Sequence, residues 1–223
     1  MARGAAARPV SRPKYTRDLP EERRRKLIEA AMRCLAERGL AGTSVREIAV
    51  RADVSPGLVG HHFAGKEDLV AQTYDYVGTN FGKILDDVLE TAGDDPEDRL
   101  RAFVDASFRP PILDSDLLAV WITFWSLVRT DARIHTIHRG IYADYRRRLE
   151  SLIAAIAERR RIVIEARLAA LSLTAMLDGL WLEWCLDPSA FTAEEACRAA
   201  QGWVDGLIGE GFPGRLPGRR KTA

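Results

Sequence analysis

Four tryptophans stand in two pairs at helical spacing in the second half of this 223-residue chain: Trp121 and Trp125 at i, i+4 with Phe124 beside them, and Trp181 and Trp184 at i, i+3. Residues three and four apart share one face of a helix. A cation held over several indole faces gains about 0.5 to 2 kcal/mol per ring when desolvated, and quaternary ammonium groups suit such cages. Asp178 and Glu183 lie in the same segment as the second pair and can supply the countercharge. The same spacing fits tryptophans packed in a core or between two copies of the chain. Trp121, Trp125, Asp178, Trp181 and Trp184 are therefore candidates for a ligand pocket, with core or interface packing as the other reading.

Little else in the chain has the spacing of reactive chemistry. His135 and His138 stand at i, i+3 but lack an acidic partner at a metal-binding interval, so a solvated helix face accounts for them better. There is no glycine-rich phosphate loop, no nucleophile elbow and no paired C-x-x-C. Cys34, Cys185 and Cys197 are an odd number without metal spacing and read as reduced thiols in a cytoplasm. The expectation is a protein that is not an enzyme and carries no metal and no cofactor.

The elements that must position these residues are helices. Apolar periodicity with start and stop residues predicts a first helix over 21–38, two short helices within 44–63, a fourth over 66–91, a fifth over 97–108 and a sixth over 115–129. A seventh is predicted over 132–159, an eighth over 164–186 and a ninth over 193–210, with no convincing period-two strand. The eighth, IEARLAALSLTAMLDGLWLEWCL, is apolar nearly all round, so one side must face its own domain and another a second surface, most economically a second copy of the chain. The ninth has Ala196, Ala199, Ala200, Trp203, Val204 and Leu207 near one stripe, and can complete an antiparallel four-helix seam in a homodimer.

Residues 43–63, TSVREIAVRADVSPGLVGHHF, read as two short helices across a tight turn, the layout of a DNA-reading helix-turn-helix. Ser44 and Glu47 have the capping-box spacing, and Val45, Ile48 and Ala49 share a face. Ser55 caps the second helix, with Pro56 at its first position. Gly57, Leu58, Gly60, His61 and His62 point outward, while Val59 and Phe63 hold the helix to its bundle. Thr43, Ser44 and Lys66, with the backbone N–H groups at the helix starts, are the phosphate candidates. Arg46, Gly57, Leu58, His61 and His62 are the base-edge candidates, with packing against the DNA backbone as the second reading of His62.

The stretch EERRRKLIEAAMRCLAERGLAGTSVREIAVRADVSPGLVGHHFAGKEDLV closely resembles the N-terminal domain of the Tet-repressor family of bacterial transcription regulators. The likeness covers about residues 21–81 and includes the AERG helix end, T-S-V-R-E-I-A, the V-S-x-G turn and the H-x-F-x-x-K-E-D-L junction. It departs at Gly60, where the family often has an aromatic residue, and at His62, where it usually has Tyr, so no operator sequence carries over. In the second half, AVWITFWSLVRTD and MLDGLWLEWCL resemble the Bet-type, choline-responsive repressors of glycine betaine genes, a subfamily of the same family. The resemblance implies an all-α, nine-helix, two-domain architecture: a three-helix helix-turn-helix domain (21–81, motif 44–63) followed by a ligand-binding and dimerisation domain (82–210). It also implies a repressor that dimerises through its eighth and ninth helices on a near-palindromic operator and is released by choline.

Charge supports the division. The net +1 resolves into +6 over residues 1–26, +1 over 27–66, −10 over 67–210 and +4 over 211–223. A basic DNA-reading end thus adjoins an acidic body, which would repel anions and favour a cation, or simply solvate its helices. Residues 1–20 and 211–223 read as disordered basic segments. No apolar run reaches the roughly 18 residues of a membrane span, and the N-terminus lacks a signal-peptide core, so the chain is expected in the cytoplasm. Two other readings fit the pattern: a regulator of efflux or catabolic genes that senses an apolar or aromatic compound, and a helical interaction module that binds nucleic acid without specificity.

Overall fold

The computed structural model describes residues 20–209, so the two basic segments expected to be disordered lie, apart from Pro20, outside the described residues. Among the described residues nine helices follow in order: α1 (Pro20–Arg38), α2 (Val45–Arg51), α3 (Pro56–His62), α4 (Lys66–Thr91), α5 (Pro96–Ser107), α6 (Ser115–Leu127), α7 (Ala132–Arg160), α8 (Ala166–Leu186) and α9 (Ala193–Ile208).

Most boundaries follow from local chemistry at the helix ends. Ser44 and Glu47 form a reciprocal capping box on α2, and Thr192 with Glu195 does the same on α9. Asp114 and Asp131 accept backbone N–H groups at the starts of α6 and α7, each bond of a kind that contributes about 1 kcal/mol. The fifth helix starts one residue earlier than its expected start because Asp95 is the cap and Pro96 takes the first helical position. Gly39, at φ 61°, ends α1, and Arg161 ends α7 in the left-handed region at φ 55°. Helix α8 starts two residues later than expected, at Ala166 after Glu165.

Two apolar cores result. The smaller joins Leu27, Ile28, Ala31 and Cys34 of α1 to Ile48 and Ala49 of α2, Val59 of α3, Phe63 and Leu69. The larger begins at Leu35 and Val70 and runs through α4 to α9, centred on Tyr74, Phe81, Phe103, Phe124, Leu149 and Leu177. Helix α4 contributes to both, and α1 also packs on α6, so the small head is tied to the large body along two helices.

Helix α8 has the length and mean hydropathy, 1.2, that a membrane span would have. It packs Ala169, Ala170, Leu173, Thr174, Leu177 and Trp181 into the body, and Asp178 interrupts its middle. Its Leu168, Leu171, Leu182 and Leu186 remain exposed.

Candidate DNA-reading surface and ligand cavity

Helices α2 and α3 meet across Asp53, Val54 and Ser55, with Asp53 at φ 54° and the Val54 N–H donating to Ala49 O at 3.0 Å. Packing Ile48, Ala49, Val59 and Phe63 inward leaves Ser44, Arg46, Ser55, Pro56, Gly57, Gly60 and His61 exposed, and Leu58, His62 and Lys66 half-buried. Val50, 72% exposed, joins this outer face. A Cβ at Gly57 or Gly60 would meet no atom within 4 Å, and neither glycine has a positive φ. A glycine inside a helix costs roughly 0.5–1 kcal/mol relative to alanine. The protein's own packing does not require these two.

Two candidate phosphate residues have partners of their own. Thr43 is buried and its hydroxyl donates to Gly39 O at 2.7 Å, which corrects the expectation that this hydroxyl faces a phosphate: it closes the corner between α1 and α2. Lys66 donates to Leu40 O at 2.9 Å, which uses one of its three ammonium protons and holds the start of α4 against the end of α1.

In the body, a narrow cavity of about 10 Å³, room for about one water, is lined by Phe81 of α4, Trp121 of α6, Ile141, Tyr142 and Tyr145 of α7, and Asp178 and Trp181 of α8. Its walls are aromatic edges and faces: Phe81 meets Trp121 at 5.7 Å and Trp181 at 5.6 Å, both near perpendicular. Trp181 is anchored by its indole N–H, which donates to Ser107 O at 2.9 Å. Of the five pocket candidates, Trp121, Asp178 and Trp181 come together here. Trp125 and Trp184 do not line this cavity; they are half-buried against the large core, and Glu183 is exposed. Phe81, Ile141, Tyr142 and Tyr145 were missed, although Tyr142 and Tyr145 at i, i+3 beside His138 were a visible signal.

Burial pushes the Asp178 carboxyl up to about 6, against the pull of a Tyr142 hydrogen bond and the Arg146 charge. Burial, then the Asp178 charge, holds the hydroxyls of Tyr74, Tyr142 and Tyr145 well above the usual phenol range, so all three stay protonated. His138 is not on a solvated face: its Nδ1 hydrogen-bonds the Tyr74 hydroxyl at 2.9 Å, its ring lies 4.3 Å from that of Tyr142, and burial followed by Arg146 and His135 lowers its pKa. The thiols of Cys34, Cys185 and Cys197 are all pushed up by burial, which keeps them protonated and poorly reactive.

Head and cavity are physically continuous. At Gly78, α4 passes so close to α7 that a Cβ would overlap Ile141, a lining residue. At the start of α7, Arg133 pairs with Asp68 of α4 at 2.6 Å, and Asp68 also accepts the Ala64 N–H at 2.9 Å just after α3. Gln72 donates to Asp68 and accepts from Arg24, whose guanidinium lies 5.7 Å over the Phe63 ring at the end of α3. Burial raises the Asp68 pKa, but the bonds from Gln72, Ala64 and Arg133 outweigh it and hold this carboxyl low.

Comparison with known proteins places these features. Residues 96–209 match the family described as "BetI-type transcriptional repressor, C-terminal", and residues 27–73 match "Bacterial regulatory proteins, tetR family". The HTH-type transcriptional regulator BetI of Stenotrophomonas maltophilia is 34% identical over 183 residues, which cover 82% of this chain and 91% of that relative. A crystal structure of a transcriptional regulator from Pseudomonas aeruginosa PAO1 is 39% identical, with a TM-score of 0.81 over 90% of this chain and 97% of that one. A regulator from Saccharomonospora viridis, solved in complex with choline, shares the fold at 20% identity, with a TM-score of 0.71 over 83% of this chain and 96% of that one.

Proposed function

The chain belongs to the tetR family of bacterial regulatory proteins, with a BetI-type C-terminal domain, and on that premise we propose that it is a repressor released from operator DNA by choline or a related quaternary ammonium cation. It is a transcriptional regulator, not an enzyme. The genes it controls in this reading are those of glycine betaine synthesis, as the name of its relatives suggests, and it works in the cytoplasm.

One observation carries the ligand assignment: a mostly buried carboxylate, Asp178, stands inside a cavity whose other walls include Phe81, Trp121, Tyr142 and Trp181. Several aromatic faces around one acid favour a desolvated cation over an anion or a plain hydrocarbon. That the Saccharomonospora viridis regulator holds choline in the same fold supports the choice.

The DNA face follows from the head. Ser44, Ser55, Lys66 and backbone N–H groups at the helix starts hold phosphates, while Arg46, Gly57, Leu58, His61 and His62 approach base edges, with Pro56 setting where α3 begins. The exposed leucines of α8 and the bare glycines Gly179, Gly202 and Gly206, where a Cβ would meet nothing within 4 Å, support a homodimer joined through α8 and α9. Such a dimer sets two recognition helices roughly 34–36 Å apart, or somewhat more, over a near-palindromic operator.

Release is a linkage effect. A ligand that fills the cavity displaces Ile141 against Gly78, and α4 with the Arg133–Asp68 pair carries the shift to Phe63 and α3. Tenfold release requires about 1.4 kcal/mol of coupling. A choline titration followed by tryptophan fluorescence and by operator affinity tests the proposal. Both should change, and no response in either at millimolar choline would refute the assignment, leaving a regulator that senses an apolar or aromatic compound.

A further inference from the structure

We propose that the Arg146 guanidinium holds the cation place of this site while no ligand is bound, and that the ligand's quaternary ammonium takes over that place on the Tyr142 ring. This rests on the cation reading of the site given above.

The cavity beside Asp178 has room for about one water, so a larger ligand needs space that a side chain gives up. The side chain whose chemistry matches the ligand's is Arg146. Its guanidinium carbon lies over the Tyr142 ring, 5.6 Å from the centre, within the reach of a cation–π contact. Tyr142 lines the cavity and donates a hydrogen bond to Asp178, and the Arg146 charge acts on the same carboxyl. One cation, one aromatic face and one mostly buried acid already stand together.

The next two residues of α7 show that this placement is particular to Arg146. Arg147 pairs with Asp144 at 2.7 Å, and Arg148 with Asp86 at 2.6 Å. Arg146 makes no close ion pair among the described residues, although Glu150 stands four residues on, at a spacing that suits one. Arg146 and Glu150 also line a groove of about 310 Å³, which is where a displaced guanidinium can go. Arg147 and Arg167 line it too, and their like charge makes it the second choice while the ring is free.

The exchange favours the ligand for a simple reason. A guanidinium over a ring turns N–H donors away from acceptors, and it recovers them on reaching Glu150 and water. A quaternary ammonium has no such donors to satisfy. Its trimethylammonium head has as many heavy atoms as the guanidinium, so one can fill the space of the other.

Isothermal titration calorimetry of the full chain with choline chloride tests the assignment. Arg146→Gln and Arg146→Met remove the competing charge, and Arg147→Gln removes the same charge one residue away. Both Arg146 variants should bind choline about five- to tenfold more tightly than wild type, the scale of a partly desolvated cation–π contact. Arg147→Gln should stay within about twofold of wild type. A damaged fold would weaken binding rather than tighten it, and two substitutions at one position keep the test open if one of them does not fold. Unchanged or weaker binding in a folded Arg146 variant overturns the inference and leaves the cation site standing. Equal tightening in Arg147→Gln overturns it as well, because the gain would then come from a general loss of positive charge. Failure of choline to bind any of these proteins overturns the cation reading and this inference with it.

Discussion

In the head, Gly57 and Gly60 lie on the outer side of α3, where an added Cβ would meet no atom within 4 Å; in the body, Gly78 faces α7, where an added Cβ would overlap Ile141. The first pair weakens its own helix and leaves a bare surface, whereas Gly78 brings two long helices into contact and is occupied by the fold itself. The same contrast separates the two sites. The head presents its polar candidates outward from one stretch, 44–66, while the cavity draws on four helices between Phe81 and Trp181. Gly78 is explained by the chain's own packing, and Gly57 and Gly60 are not.

The contrast can be broken at either site. The largest effect is expected from Asp178→Asn, which keeps the shape of the cavity but removes its charge. Choline affinity, measured by calorimetry, should fall about 100-fold, the scale for truncating one partner of a buried charge pair. Undiminished affinity would remove the cation from the body's half of the comparison. Next comes Gly78→Ala, which must move Ile141 and should cost about 1–3 kcal/mol, visible as a lower melting temperature. An unchanged melting point would mean that α4 and α7 adjust freely and that Gly78 is no packing device.

The double variant Gly57→Ala, Gly60→Ala should behave in the opposite sense: unchanged or slightly higher thermal stability, with operator affinity lower by about tenfold. Stability and DNA affinity moving together would collapse the distinction between outward and inward glycines. The smallest effect is expected from pH. Choline favours the charged form of Asp178, so its affinity should rise with pH through about 6 and level off above it. Between pH 7.5 and 5.5 affinity should fall about fourfold from a carboxyl pKa of about 6. Tyr74, Tyr142 and Tyr145 stay neutral, and His138, with its lowered pKa, gains charge only on acidification, which acts in the same direction. A flat profile would mean that Asp178 does not face the cation.

The head was the more legible region because its signals are local. Ser44, Glu47 and Pro56 state where α2 and α3 begin, Ser55 standing at the cap position of α3 without a side-chain cap hydrogen bond, and the apolar residues at Ile48, Ala49, Val59 and Phe63 state which faces turn inward. Even there, Thr43 read as a surface donor, because sequence spacing does not show that Gly39 O lies within reach of its hydroxyl. In the body, helical spacing could pair Trp121 with Trp125 and Trp181 with Trp184, but only the crossing of α4, α6, α7 and α8 decides which member of each pair meets the cavity.

The central claim is that filling the cavity changes the hold of α3 on DNA. Its most direct test is fluorescence anisotropy of the complex between the full chain and labelled DNA from upstream of its gene, titrated with choline at fixed salt. The account predicts a fall in anisotropy that follows occupancy of the choline site measured separately on the free protein. A complex that stays intact while that site is saturated would contradict it.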